Sequence, residues 1–195
     1  ADGAAVEGRA TALIFFGGYA PMRTMKIVQH LRASHPQLKL VVLCGGNVTL
    51  EAQLRQEHAG PLCEVEGMLS AARVRQHLAS ARLVIGKPGP GVVAEAGVCR
   101  VPFVTEDHTG IMPQERSVLR WIESQGVGII VPDLEHMPSD LLTRISSCRE
   151  ALECQDNRAV FEVSACIRCL MSCKGADQGK DWREVQQCVA NLSIG

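Results

Sequence analysis

No apolar run in this sequence approaches the roughly 20 residues that a membrane-spanning helix needs. No excess of either charge is present: the formal net charge is −1, so no basic field would gather nucleic acid, and no nucleic-acid partner is expected. A secretory leader, an internal repeat and a low-complexity linker are likewise missing. Nine cysteines are many, but an odd number cannot close a complete disulfide framework. These absences point to an intracellular, reducing compartment. The chain opens on Ala1-Asp-Gly-Ala-Ala5 without a methionine, as an excised domain or a processed product would.

What is present is an ordinary globular composition, 46% apolar and 21% charged over 195 residues, enough for one domain with a real core. Strand and helix patterns alternate. Apolar runs at 12–16, 38–43, 62–65, 83–85, 101–104 and 127–131 read as buried parallel strands. Between them lie helical patterns: one with Pro21 at its first turn, running to about Ser34, then 50–58, 72–79, a helix ending near Val98, and 114–124. Val118, Trp121 and Ile122 form the expected apolar stripe of the helix at 114–124, and Ser139 the expected cap of a last helix reaching Glu153. The expectation is an α/β fold: a Rossmann-like, doubly wound parallel sheet of about six strands in the order 3-2-1-4-5-6. Residues 1–9 read as a flexible segment, 10–153 as the α/β domain and 154–195 as a helical extension.

Cys44, Cys63 and Cys99 sit in or beside apolar runs, as buried free thiols do. Cys166, Cys169 and Cys173 fall at i, i+3 and i+7 on one helix face. That spacing suits a packing stripe better than a zinc site completed by Cys188, because paired zinc ligands usually flank a turn. No metal site is expected. His30, His35, His58 and His77 have polar neighbours on helices and read as solvated.

The informative segment is Gly86-Lys-Pro-Gly-Pro-Gly-Val-Val-Ala-Glu-Ala-Gly97, directly after the apolar run ending at Ile85. It reads as a strand, a glycine turn and a helix start. Gly89 and Gly91 allow a tight turn and close approach of a ligand. The first-turn N–H groups and the helix dipole favour an anion there. Glu95, about one turn on, is a carboxylate suited to ribose hydroxyls. A second glycine loop, Gly17-Gly18, follows the first strand, and the expected strand order puts both loops on one crevice. The spacing is neither the three-glycine dinucleotide fingerprint nor the Gly-Lys-Ser/Thr phosphate loop.

Gly86–Ala96, then Val101-Pro-Phe-Val104, Pro113-Gln-Glu115 and Gly126-Val-Gly128, in that order, resemble the donor-binding half of GT-B glycosyltransferases. The likeness is to the monogalactosyldiacylglycerol synthases and diacylglycerol glucosyltransferases. It spans residues 10–145 and is strongest at 86–128. The resemblance implies that Gly89, Pro90, Gly91 and Val92 hold the pyrophosphate of a UDP-sugar and Glu95 its ribose. Gln114 and Glu115 would bind the sugar, with Gly17, Gly18 and Met68 bordering the cleft and the uracil. Separately, His108 sits on the loop after the fifth strand, near the cleft, where it would contact sugar or phosphate. Read on their own, Gln114 and Glu115 equally suit a plain helix start, where acids favour the first turn. The UDP-sugar is substrate, and no cofactor is implied.

Two departures stand out. Ser117-Val118 replaces the family's Gly-Asn, and Tyr19 places a ring beside the first glycine loop. The resemblance also implies a partner, since the acceptor site and catalytic base belong to an N-terminal domain. Three alternatives stay open: part of a longer transferase acting on a lipid such as diacylglycerol, a donor subunit of a split GlcNAc transferase, or a non-catalytic nucleotide-binding scaffold. Peripheral association with a plastid envelope or a cytoplasmic membrane face would come through the acceptor partner.

Overall fold

The computed structural model describes residues 9–108, 110–156, 163–165 and 167–168. The chain divides into two compact units, Ala1–Gln155 and Asp156–Gly195. In the first, twelve elements alternate: β1 (Thr11–Phe15), α1 (Thr24–Ser34), β2 (Lys39–Leu43), α2 (Val48–Glu57), β3 (Cys63–Glu66), α3 (Ala71–Ser80), β4 (Leu83–Ile85), α4 (Pro90–Val98), β5 (Phe103–Glu106), α5 (Pro113–Gln125), β6 (Gly128–Val131) and α6 (Leu141–Glu153). The strands form one parallel sheet in the order β3-β2-β1-β4-β5-β6, as the alternation predicts.

Successive side chains of a strand face opposite sides, and here both sides are covered. Ala12 and Ile14 of β1, with Leu40 and Val42 of β2, face α1, α2 and α6 through Ile27, Leu31, Leu50, Leu54 and Ile145. Leu13, Val41 and Leu43 face the opposite layer, where Leu78 of α3, Val93 and Ala96 of α4 and Ile122 of α5 pack. Ala12, Leu13 and Ile14 are all fully buried, which makes β1 the spine of the domain.

Several expectations need correction. Strand β5 starts at Phe103, two residues later than the apolar run, because Val101 and Pro102 lead into it and Pro102 has no N–H for a ladder. Asp140, not Ser139, stands at the N-cap of α6. Helix α1 begins at Thr24, so Pro21 precedes it and accepts the Thr24 N–H rather than opening the first turn. Trp121 is 40% exposed, and the buried face of α5 is Glu115, Leu119 and Ile122. His35 and His77 are buried, not solvated. Gly89 adopts φ −68° and Gly91 has no positive φ, so neither turn needs glycine for its backbone.

Cys44, Cys63 and Cys148 are buried free thiols, and Cys154 is exposed. Burial pushes the Cys44 thiol up to about 11, which leaves it inert at neutral pH. The expectations for Cys166, Cys169, Cys173 and Cys188 fall outside the described residues. No helix among the described residues is long and apolar enough to cross a membrane.

Candidate functional site

Strands β1 and β4 are neighbours, yet the chain leaves them toward opposite layers, α1 on one side and α4 on the other. This is the switch point of a doubly wound sheet, where a crevice opens at the carboxyl ends. Both glycine loops lie there. Gly86 closes the two strand ends together: a Cβ on it would collide with the Phe15 carbonyl. The loop then runs to Gly89, the N-cap of α4, with Pro90 at the first helical position. Val93 donates to the Gly89 carbonyl, while the N–H groups of Gly91 and Val92 precede that first intrahelical donor. A Cβ added to Gly89 or Gly91 would meet nothing within 4 Å. The helix start is therefore open on its outer side, with unpaired donors and the positive end of a dipole.

Glu95 is exposed and lies four residues after Gly91, which puts the two on one helix face. Gln114 is also exposed, at the second position of α5. Glu115 is different. It is 3% exposed, and both its oxygens are engaged within the chain. Oε1 pairs with Lys87 Nζ at 2.7 Å, and Oε2 accepts the Met112 N–H at 3.2 Å in a capping-box arrangement. One carboxylate thus ties the glycine loop after β4 to the start of α5. His108 is exposed on the loop after β5. Its Nδ1 accepts the Gly110 N–H at 3.0 Å, and its Nε2 stands 3.8 Å from Glu106.

The first glycine loop is fastened to the loop after β2. Gly18 accepts the Gly46 N–H at 2.9 Å, Tyr19 bridges to Gly45, and Ala20 donates to the Cys44 carbonyl at 3.2 Å. Gly17 (φ 91°) and Gly45 (φ 59°) both take left-handed backbone, and a Cβ on Gly45 would also strike the Gly18 carbonyl. Tyr19 and Met68 are 65% and 70% exposed and converge over Gly46.

One constellation was not read from the sequence. Arg23, at the N-cap of α1, holds Glu106 at the end of β5 through two bonds of 2.5 and 2.9 Å. It also reaches Asp133 and Glu135, each at 3.2 Å. Glu106 additionally accepts the Leu134 N–H at 3.0 Å. Its bonds to Glu106 hold the Arg23 guanidinium above its ordinary value, and the Glu135 N–H holds the Asp133 carboxyl below its own. The one sequence signal was a carboxylate just past an apolar run, hidden by setting β5 two residues early.

No protein-family model matches this sequence. A curated relative, monogalactosyldiacylglycerol synthase 3, chloroplastic, from Arabidopsis thaliana, is 26% identical over 68% of this chain and 29% of its own length. Among solved structures, a candidate UDP-N-acetylglucosamine 2-epimerase from Listeria monocytogenes superposes with a TM-score of 0.62. It shows 19% identity over 90% of this chain and 48% of that one. The spinosyn rhamnosyltransferase SpnG, complexed with thymidine diphosphate, gives a TM-score of 0.55 at 15% identity, over 78% of this chain and 43% of that one. The fold is the Rossmann-like half of a GT-B protein, and the chain resembles the nucleotide-binding domain of glycosyltransferases. It spans under a third of the length of the curated relative.

Proposed function

We propose that the β1/β4 crevice binds a UDP-sugar, and that the chain is the donor half of a hexosyltransferase with a lipid acceptor such as diacylglycerol. The carrying observation is the open start of α4 with Glu95 one turn along the same face, set at the switch point of a nucleotide-binding fold. The first-turn N–H groups of Gly91 and Val92 would hold the diphosphate and stabilise it as it departs. Glu95 would accept the ribose hydroxyls. Gln114 would meet the sugar, while Glu115, spent on Lys87 and Met112, would act by holding Lys87 beside the phosphates. Gly17, Gly18, Met68 and His108 would border the nucleoside.

Sugar transfer also needs a base on the acceptor hydroxyl. That base is expected from an acceptor half, in the same polypeptide or as a separate subunit. Exposed Tyr19, Met22 and Met68 on loops at the carboxyl edge, with exposed Val48 at the start of α2, favour such a covering partner. The test is calorimetric titration of the chain with UDP, UDP-galactose, UDP-glucose and UDP-GlcNAc. Binding of UDP without transfer by the chain alone is the expected result. Absence of all four affinities overturns the reading, and sustained transfer to diacylglycerol would place the base within this chain.

A further inference from the structure

Away from the crevice, at the free edge of the sheet, Glu64 and Glu66 alternate on β3 and so face the same side. That side is covered by α3, whose last turn carries His77. A ring nitrogen of His77 and one carboxylate oxygen from each glutamate lie within 4.8 Å of one another. His77 is 9% exposed, and its Nε2 is sealed from water with no hydrogen-bond partner. A buried polar nitrogen left unpaired is costly, and native structures almost always satisfy it. Here it belongs to a ligand-type side chain in a cluster with two carboxylates.

Each acid also has a cationic neighbour that a metal ion would displace. Lys39 Nζ sits 2.9 Å from Glu64, and Arg73 lies 3.8 Å from Glu66, four residues before His77 on α3. Both cations are on long side chains that can swing into water. We infer that Glu64, Glu66 and His77 form a binding site for a divalent transition-metal ion of the zinc type. One imidazole with two carboxylates excludes the all-oxygen preference of calcium and magnesium and suits zinc or cobalt with a water as fourth ligand. Zinc ligand distances near 2.1 Å require the three donors to close by about an ångström, within the reach of glutamate rotamers. The ion would clasp β3 to α3 across the short turn that carries Met68, with no part in the crevice chemistry.

Zinc added to the reduced full chain should raise the thermal midpoint, by about 5 °C or more at a hundredfold excess over Kd, reversibly with chelator. Cobalt should give visible d–d absorption without the sulfur-to-metal charge-transfer band that cysteine ligands produce. His77→Gln and, separately, Glu66→Gln should each weaken zinc binding at least tenfold. The metal-free melt of each variant checks that it folds, and the partly exposed Glu66 serves if His77→Gln does not. Equal stabilisation of wild type and variants, or a cobalt spectrum carrying thiolate bands in both, overturns the assignment. So does the absence of any zinc effect. UDP binding is measured in parallel and is expected to survive both substitutions, which keeps this test separate from the donor-site reading.

Discussion

At Gly91 the missing side chain serves the space above the helix rather than the backbone beneath it. Its φ is ordinary and nothing crowds it, so Gly91→Val should leave the thermal midpoint nearly unchanged while abolishing UDP binding. Unchanged affinity by calorimetry would move the pyrophosphate off this loop. Gly45 is the opposite case. Its left-handed backbone and the Gly18 carbonyl against it leave no room for a methyl, so Gly45→Ala should cost about 2–4 kcal/mol by urea unfolding. At Glu95 the prediction is chemical. Hydrogen bonds to a charged acceptor are each worth roughly 1.5–3 kcal/mol, so Glu95→Ala should lower UDP affinity by about ten- to a few hundred-fold. Pyrophosphate, lacking ribose, should bind unchanged or slightly tighter. Equal weakening toward both would remove Glu95 from the ribose. The open glycines and Glu95 were legible in the sequence because they sit within ten residues of one another. The burial of Glu115 was not, since Lys87 reaches it only after the chain folds back on itself.

At the scale of elements, α1 is clamped to the segment between β6 and α6 by histidines that polar neighbours made look solvated. His30 Nε2 accepts the Met137 N–H at 2.9 Å, and His35 Nε2 stands 3.1 Å from the Pro138 carbonyl, to which it donates. Burial lowers the His35 pKa below its ordinary 6.5. The folded state therefore resists a proton that the unfolded chain accepts. This contribution to stability is whole above about pH 6.5 and is lost as pH falls below it. Urea midpoints at about pH 7.5 and 5.5 should differ more for wild type than for His35→Gln. An identical pH slope in the two would mean that His35 carries no such linkage. Element type and order were readable from apolar runs and glycine stops, whereas ends drifted by one to three residues where a proline or an acidic cap decided them, as at Pro21, Pro102 and Asp140.

For the whole molecule, alternation and right-handed crossovers pointed to a doubly wound parallel sheet, the commonest order for six strands supplied the rest, and the two glycine loops met where that order required. The Arg23 hub escaped because its partners at 106, 133 and 135 share no local pattern; only the closed sheet brings them together. It joins the start of α1 to the ends of β5 and β6. Glu106→Leu, which removes the two-bond partner of the guanidinium and leaves the Leu134 N–H unpaired, should cost about 2–4 kcal/mol. A loss below about 0.5 kcal/mol in denaturant melts would show the hub to be ornamental. The lacing of the loop after β1 to the loop after β2 bears on time rather than energy. A floor already stitched by backbone bonds has no slow rearrangement to wait for. Nucleotide capture at this crevice should then be a single encounter, its observed rate climbing in proportion to ligand concentration under stopped flow. A plateau would reveal a gate that the stitched loops give no reason to expect.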